Sequence, residues 1–203
     1  MLYADLLLQT LDRFILELYK ESGVRIIGLP EDLGEKDDLR DFMVIRRSII
    51  DDIDRVRPRR NNLIAFKPSD KESARRAGKI SSFPFTIILD EDSIEYCTRE
   101  QIEIMRGGRA SLEILARVIL QDSEISRYLR ILKPCVRYAI KNGIDVILSS
   151  GSRVSEEVFP PRSFRILERY LVGLRGVLTY SWYHLLEKWN KDLVRSIEQT
   201  WSR

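Results

Sequence analysis

Short apolar runs alternate with capped, amphipathic segments along the whole chain, and this rhythm constrains the fold more than any other feature. Runs at Val24–Leu29, Phe42–Ile45, Leu63–Phe66, Phe85–Leu89, Leu112–Leu120, Val146–Leu148 and Val177–Tyr180 read as strands. Each is a brief apolar stretch bounded by turn residues. Between these runs the spacing turns helical. Leu11, Phe14, Ile15 and Leu18 form one apolar face, and Gly23 stops that helix. Ser69 with Glu72 and Thr98 with Gln101 have capping-box spacing, and Gly78 and the Gly107-Gly108 pair close the helices that follow. A long helix is expected from Ser123 to Asn142, kinked by Pro134. Another begins at Pro161, where the ring pre-sets φ for a first helical turn. The last is expected from Ser181, with Trp182, Leu185, Trp189, Leu193, Ile197 and Trp201 on one stripe. Phe42–Ile45 fits either a strand or a helix start, because Leu39, Phe42, Ile45, Ile49, Ile53 and Val56 also keep helical spacing. Ser48 and Asp51 have the look of a helix N-terminus, which favours a strand followed by a helix.

About eight strands alternating with about seven helices predict an α/β protein with a parallel sheet covered by helices. So many units within 203 residues point to a closed (β/α) TIM-like barrel, one domain spanning 1–203. An open doubly wound sheet normally binds nucleotide through a glycine-rich first turn. The corresponding Leu8-Gln9-Thr10 has no glycine.

A hydrophobic content of 44% with 32% charged residues marks a globular chain rather than a disordered one. No apolar run approaches the roughly 20 residues of a membrane-spanning helix. The start, MLYADLLLQTLDRF, lacks a basic n-region and is not expected to be a signal peptide. Cys97 and Cys135 lie far apart in apolar or helical surroundings and are expected to be reduced, which suits a cytoplasmic location. Four Asn and four Gln against plentiful Arg, Glu, Lys and Ile form the bias that a hot environment favours. A net charge of +3 tolerates RNA as a partner without demanding it.

The candidate chemistry is sparse. His184 is the only histidine, whereas a zinc hydrolase site wants several with carboxylates at strand ends; it reads as a structural helix residue. Asp5, Asp90, Glu91 and Asp92 have the oxygens for Mg²⁺, yet the run from Asp90 to Asp92 reads better as a solvated loop. Ser149, Ser150 and Ser152 sit where a barrel presents its functional rim, without a nucleophile elbow or an adjacent base. Their turn has the composition of a phosphate cradle or simply of a tight loop. No catalytic residue, metal ligand or bound cofactor is therefore expected. Basic clusters remain. Arg55, Arg57, Arg59 and Arg60 crowd into RVRPRRNN, and Lys71, Arg75, Arg76 and Lys79 follow on the next helix. Arg130, Lys133, Arg137 and Lys141 share one face of the long helix, and Arg162, Arg165 and Arg169 share one face of the Pro161 helix. Each alone suits a solvated face. Together they suit a polyanion read through its phosphates, and the absence of aromatic–basic interleaving favours structured RNA over single strands.

The strand ending at Leu148, the Ser149-Ser150-Gly151 turn, Pro161-Arg162 and the helix end Leu171-Val172-Gly173 resemble the C-terminal signature of a known family. It is the barrel-shaped, thirty-kilodalton-class protein of archaeal and eukaryotic ribonuclease P, component 3 in archaea. Asp5 resembles the family's first-strand aspartate. Glu113, between Leu112 and Ile114, resembles its strand glutamate, and Arg127 the arginine that opens its long helix. The chain departs at Phe159, where the family often has arginine, and at Ser163, where it often has aspartate. The resemblance implies a non-catalytic barrel subunit of the ribonucleoprotein that removes 5′ leaders from precursor tRNA. Its RNA subunit with Mg²⁺ performs the hydrolysis, and a second protein, component 2, is its partner. On this reading Lys71, Arg75, Arg127, Arg130 and Arg162 meet RNA phosphates, with Ser149 and Ser150 as rim candidates. The rival readings are a metal-dependent phosphoesterase of the related polymerase-and-histidinol-phosphatase barrel type, and a structural adaptor that meets only protein.

Overall fold

Parallel pairing in strict chain order builds the sheet. The computed structural model describes residues 3–33, 37–59, 61–120, 125–173, 176–178 and 180–201. Its strands are β1 (Tyr3–Asp5), β2 (Val24–Pro30), β3 (Met43–Ile50), β4 (Asn62–Phe66), β5 (Phe85–Leu89), β6 (Ala110–Leu115) and β7 (Val146–Ser149). They lie side by side in the order β1-β2-β3-β4-β5-β6-β7, every pair parallel. The outer layer comprises α1 (Arg13–Ser22), α2 (Lys71–Gly78), α3 (Arg99–Met105), α4 (Ala116–Leu120), α5 (Ile125–Lys141) and α6 (Pro161–Val172). Two further helices, α7 (Ser181–Trp189) and α8 (Lys191–Trp201), follow. The architecture is a nearly closed (β/α) barrel of TIM-like design, as the alternation predicts.

The barrel is shut across β7 and β1 by loop bonds. Gly151 N–H donates to Leu7 O at 2.9 Å, and Gln9 N–H to Ser152 O at 2.9 Å. Gly151 has φ +65°, and a Cβ there would stand 2.9 Å from the Leu115 side chain, so the turn requires glycine on both counts. The barrel's N-terminal mouth is plugged by α7 and α8. Trp182, Leu185, Leu186, Val194 and Ile197 pack against Ile26, Ile45, Leu63 and Ile147 from the beginnings of four strands.

The middle of the barrel is polar. Strand register puts Arg47, Ala65, Thr86, Glu113 and Ser149 on the inner face. Arg47 Nη2 donates to Glu113 Oε2 at 2.5 Å and to Thr86 Oγ1 at 2.8 Å, while Nη1 reaches Leu6 O at 2.9 Å. Thr86 and Ser149 hydroxyls donate to the same carboxylate at 2.6 and 2.5 Å. Gly28 allows β1 to come this close: a Cβ at that position would lie 1.9 Å from Leu6 O.

Several expectations are corrected here. Seven strands are present among the described residues. The eighth expected, 177–180, has residues 177, 178 and 180 in turn conformation, while Thr179, like Arg60, Ser123 and the Trp201 side chain, lies outside the description. Ser48 starts no helix: β3 runs through it to Ile50, because its backbone pairs with β4, and only one 3-10 turn, Ile53–Arg55, follows, capped by Asp52. The run at 112–120 divides at Leu115, where α4 takes over. Asp70 with Ser73, not Ser69 with Glu72, forms the capping box of α2. Thr98 does cap α3, but the Gln101 side chain turns to Ala74 O at 2.8 Å. On α1 the buried face is Ile15, Leu16 and Tyr19, with Phe14 exposed. The final helix breaks at Asn190, whose side chain accepts from Leu193 N–H at 3.1 Å and so caps α8.

Cys97 and Cys135 form a disulfide, with Cα atoms 5.8 Å apart, contrary to the reduced thiols expected from their separation in sequence. Folding brings the 3-10 turn ending before Cys97 against α5, which spacing along the chain does not reveal. The cysteines thus lend no support to a cytoplasmic location. Among the described residues no helix is long and apolar enough to cross a membrane.

Two stability results follow. The disulfide closes a loop of sequence separation 38, so Cys97→Ser with Cys135→Ser should lose up to about 4 kcal/mol of unfolding free energy in guanidinium titrations. Arg47→Met strands a buried carboxylate and should lose about 3–5 kcal/mol, whereas Arg47→Met with Glu113→Leu should recover most of it. A double variant as unstable as the single one would show that the ion pair is not the source of the loss.

Candidate nucleic-acid interface

The Ser149–Ser152 turn, read from sequence as a rim feature, is wholly buried. Ser149 Oγ donates to Glu113, and Ser150 Oγ donates to Leu7 O at 3.3 Å. Both hydroxyls are engaged, so the turn closes the barrel rather than presenting oxygens to a phosphate. Asp5 holds the same seam from the outer face of β1. Its carboxylate accepts Ser150 N–H at 2.9 Å, Leu7 N–H at 3.3 Å and the Tyr19 hydroxyl from α1. Burial raises the Asp5 pKa above the ordinary aspartate value, against the lowering effect of these hydrogen bonds. Tyr19 is pushed well up by burial and by the Asp5 charge.

The rest of the C-terminal rim is laced by ion pairs. Lys67 meets Asp90 at 2.7 Å, and Arg117 meets both oxygens of Glu91, the closest contact being 2.9 Å. Asp90 is buried and accepts from the Ser93 hydroxyl, which corrects its reading as part of a solvated loop. His184 stands at the opposite end, exposed on α7 with Nδ1 3.5 Å from Asp145. No three His, Cys, Asp or Glu side chains converge into a metal-ligand group among the described residues.

The sequence-predicted cations divide into two sets. On α2, Lys71 and Arg75 both pair with Glu100 of α3, and Arg76 pairs with Asp54 at 2.6 Å. These charges are largely spent within the protein. On α5 and α6 the situation differs. The two helices carry eight Lys and Arg and a single acid, a charge of +7 in a chain of +3, which leaves −4 for everything else. That acid, Glu168, is buried and accepts Leu178 N–H at 2.7 Å. The helices pack side by side. Arg137 Nε donates to Leu171 O at 3.1 Å, and Lys133 Nζ lies 4.7 Å from the Tyr170 ring centroid. Their outer faces therefore merge into one surface. Arg130, Lys141, Arg162 and Arg169 are exposed on it and meet no carboxylate among the described residues. Arg127 is exposed at the start of α5 and pairs with Glu95. Arg165 stacks over the Tyr3 ring, 5.0 Å from its centroid.

Of the predicted phosphate contacts, Arg130 and Arg162 thus share a surface, with Arg127 at its edge. Lys71 and Arg75 belong to a different sector, with α3 between. The interior Arg47 escaped sequence reasoning, although an arginine pair within the apolar run of β3 is a signal that could have found it.

No family model matches the chain, and no curated protein matches it either. Its fold is similar to that of a solved chain in the cryo-EM structure of archaeal ribonuclease P with mature tRNA. The TM-score is 0.67 at 12% sequence identity, covering 100% of this chain and 94% of the other. That likeness establishes the barrel fold along the whole length.

The seam makes a pH prediction. Because the folded Asp5 holds its proton more tightly than the unfolded one, its contribution to stability is full in acid and declines as pH rises through the raised value. Asp5→Asn should be destabilised by about 1–3 kcal/mol at neutral pH. Its deficit against the wild type should be wider near pH 4 than near pH 7. An unchanging deficit across that range would show that Asp5 titrates normally.

Proposed function

We propose that this chain is a protein subunit of ribonuclease P, the ribonucleoprotein that removes 5′ leaders from precursor tRNA. It binds the structured catalytic RNA through the face shared by α5 and α6 and contributes no catalytic residue of its own. The observation that carries the reading is the charge segregation: eight cations on two adjoining helices whose single acid is buried. A chain of net charge +3 that concentrates +7 on two adjoining helices has the electrostatic footprint of a polyanion partner. Arg predominates there, and its planar fork matches phosphate oxygens in pairs. An A-form helix offers little sequence information in its deep groove, so such a surface recognises backbone and shape. The full-length fold likeness to a chain of an archaeal ribonuclease P structure supports the same assignment.

In this reading the RNA subunit with Mg²⁺ performs the hydrolysis, precursor tRNA is met through the complex, and component 2 is the protein partner. The protein neutralises phosphates and helps the RNA hold a compact shape. The polar centre of the barrel keeps the scaffold of that surface in place.

The test is RNA affinity as a function of salt. Wild-type protein should bind the catalytic RNA with a steep negative dependence on salt. Arg130→Ala, Arg162→Ala and Arg169→Ala combined should weaken binding about tenfold or more and reduce the slope by roughly 2–3. Lys71→Ala with Arg75→Ala should change both far less, since Glu100 already holds those charges. Equal effects from the two sets would remove the α5–α6 face as the interface.

A further inference from the structure

A cleft of about 490 Å³ opens beside the disulfide, between α5 and the segment from Cys97 to Arg99. Its size lies within the range of small-ligand sites, and its lining has two chemistries. Ile131, Pro134 and the disulfide supply apolar surface. Proline within α5 leaves the carbonyl four residues earlier without its helical donor and presents a flat hydrocarbon ring instead. Arg99, Arg137 and Lys141 supply three positive charges, none of which meets a carboxylate among the described residues. The Arg99 guanidinium lies over the Tyr138 ring, 5.1 Å from its centroid, which gives the cleft a cation–π wall. The nearby Glu103 is occupied by the Tyr138 hydroxyl and by Arg106 at 3.0 Å.

The two chemistries select a ligand that is anionic at one end and planar and apolar at the other. A bare phosphate would leave the apolar surface uncovered, and a hydrocarbon would leave three cations unsatisfied. Resting on the RNA reading above, we infer that this cleft takes one unpaired nucleotide of the structured RNA. The base lies against Pro134 and Ile131 beside the Arg99–Tyr138 stack, and its phosphate faces Arg137 and Lys141. Unpaired bases extruded onto aromatic rings and guanidinium planes are the means by which proteins read structured RNA beyond its backbone. The disulfide joins the two walls and fixes the width of the cleft.

The probe is a pair of hairpin RNAs with identical stems, one fully paired and one carrying a single bulged 2-aminopurine nucleotide. Wild-type protein should bind the bulged hairpin about fivefold or more tightly than the paired one, with altered 2-aminopurine fluorescence. Arg99→Ala, at an exposed side chain outside α5 and α6, should abolish that preference and leave affinity for the paired hairpin within about twofold. Circular dichroism and thermal melts check that this variant remains folded. If wild-type protein binds both hairpins equally, the cleft inference falls and the RNA reading stands. If it binds neither, both fall. A preference that survives this substitution would place the bulge elsewhere on the surface and overturn the assignment of this cleft.

Discussion

Four strands and the loop after β1 meet at one carboxylate. Glu113 of β6 accepts from Arg47 of β3, Thr86 of β5 and Ser149 of β7, and Arg47 passes the connection to Leu6 beyond β1. A barrel of seven strands this short has little apolar volume at its centre, and a charged pair there is costly unless each atom is engaged. Here nearly all are; Arg47 Nε is the exception. The reward of such a network is geometric. It pins strands far apart in sequence into one register, and the Gly151 turn can then complete the seam between β7 and β1.

Everything outward of that centre depends on it. The N-terminal mouth is plugged by α7 and α8, and part of the C-terminal rim is tied by ion pairs. The exterior is unevenly charged. In the α2 sector cations are matched by acids of neighbouring elements, whereas Arg130, Lys141, Arg162 and Arg169 of α5 and α6 face solvent without a carboxylate among the described residues.

Much of the fold was legible because it follows from periodicity. Val24–Leu29, Leu63–Phe66 and Phe85–Leu89 were found within a residue of their ends, and the α6 face of Phe164, Leu167 and Leu171 is the buried one. The failures have physical causes. Ser48 and Asp51 mimic a cap, but pairing with β4 outweighs the local signal. The apolar run after Leu112 changes conformation at Leu115 without any breaker, because Arg117 N–H reaches Ser150 O at 3.1 Å and its side chain reaches Glu91. The disulfide and the Arg47 network are long-range pairings that no window of sequence contains. In the candidate interface the arginine stripes could be read, but which of them an acid would neutralise could not, since Glu100 meets Arg75 only across two helices.

The central claim is that the protein assists a catalytic RNA and supplies no chemistry. The most direct measurement is 5′-leader cleavage of a precursor tRNA by the catalytic RNA with component 2 at limiting Mg²⁺, with and without this chain. The account predicts that adding the protein raises the cleavage rate and that the protein without catalytic RNA cuts nothing. Cleavage by the protein alone, or a rate unchanged by its addition, would contradict it.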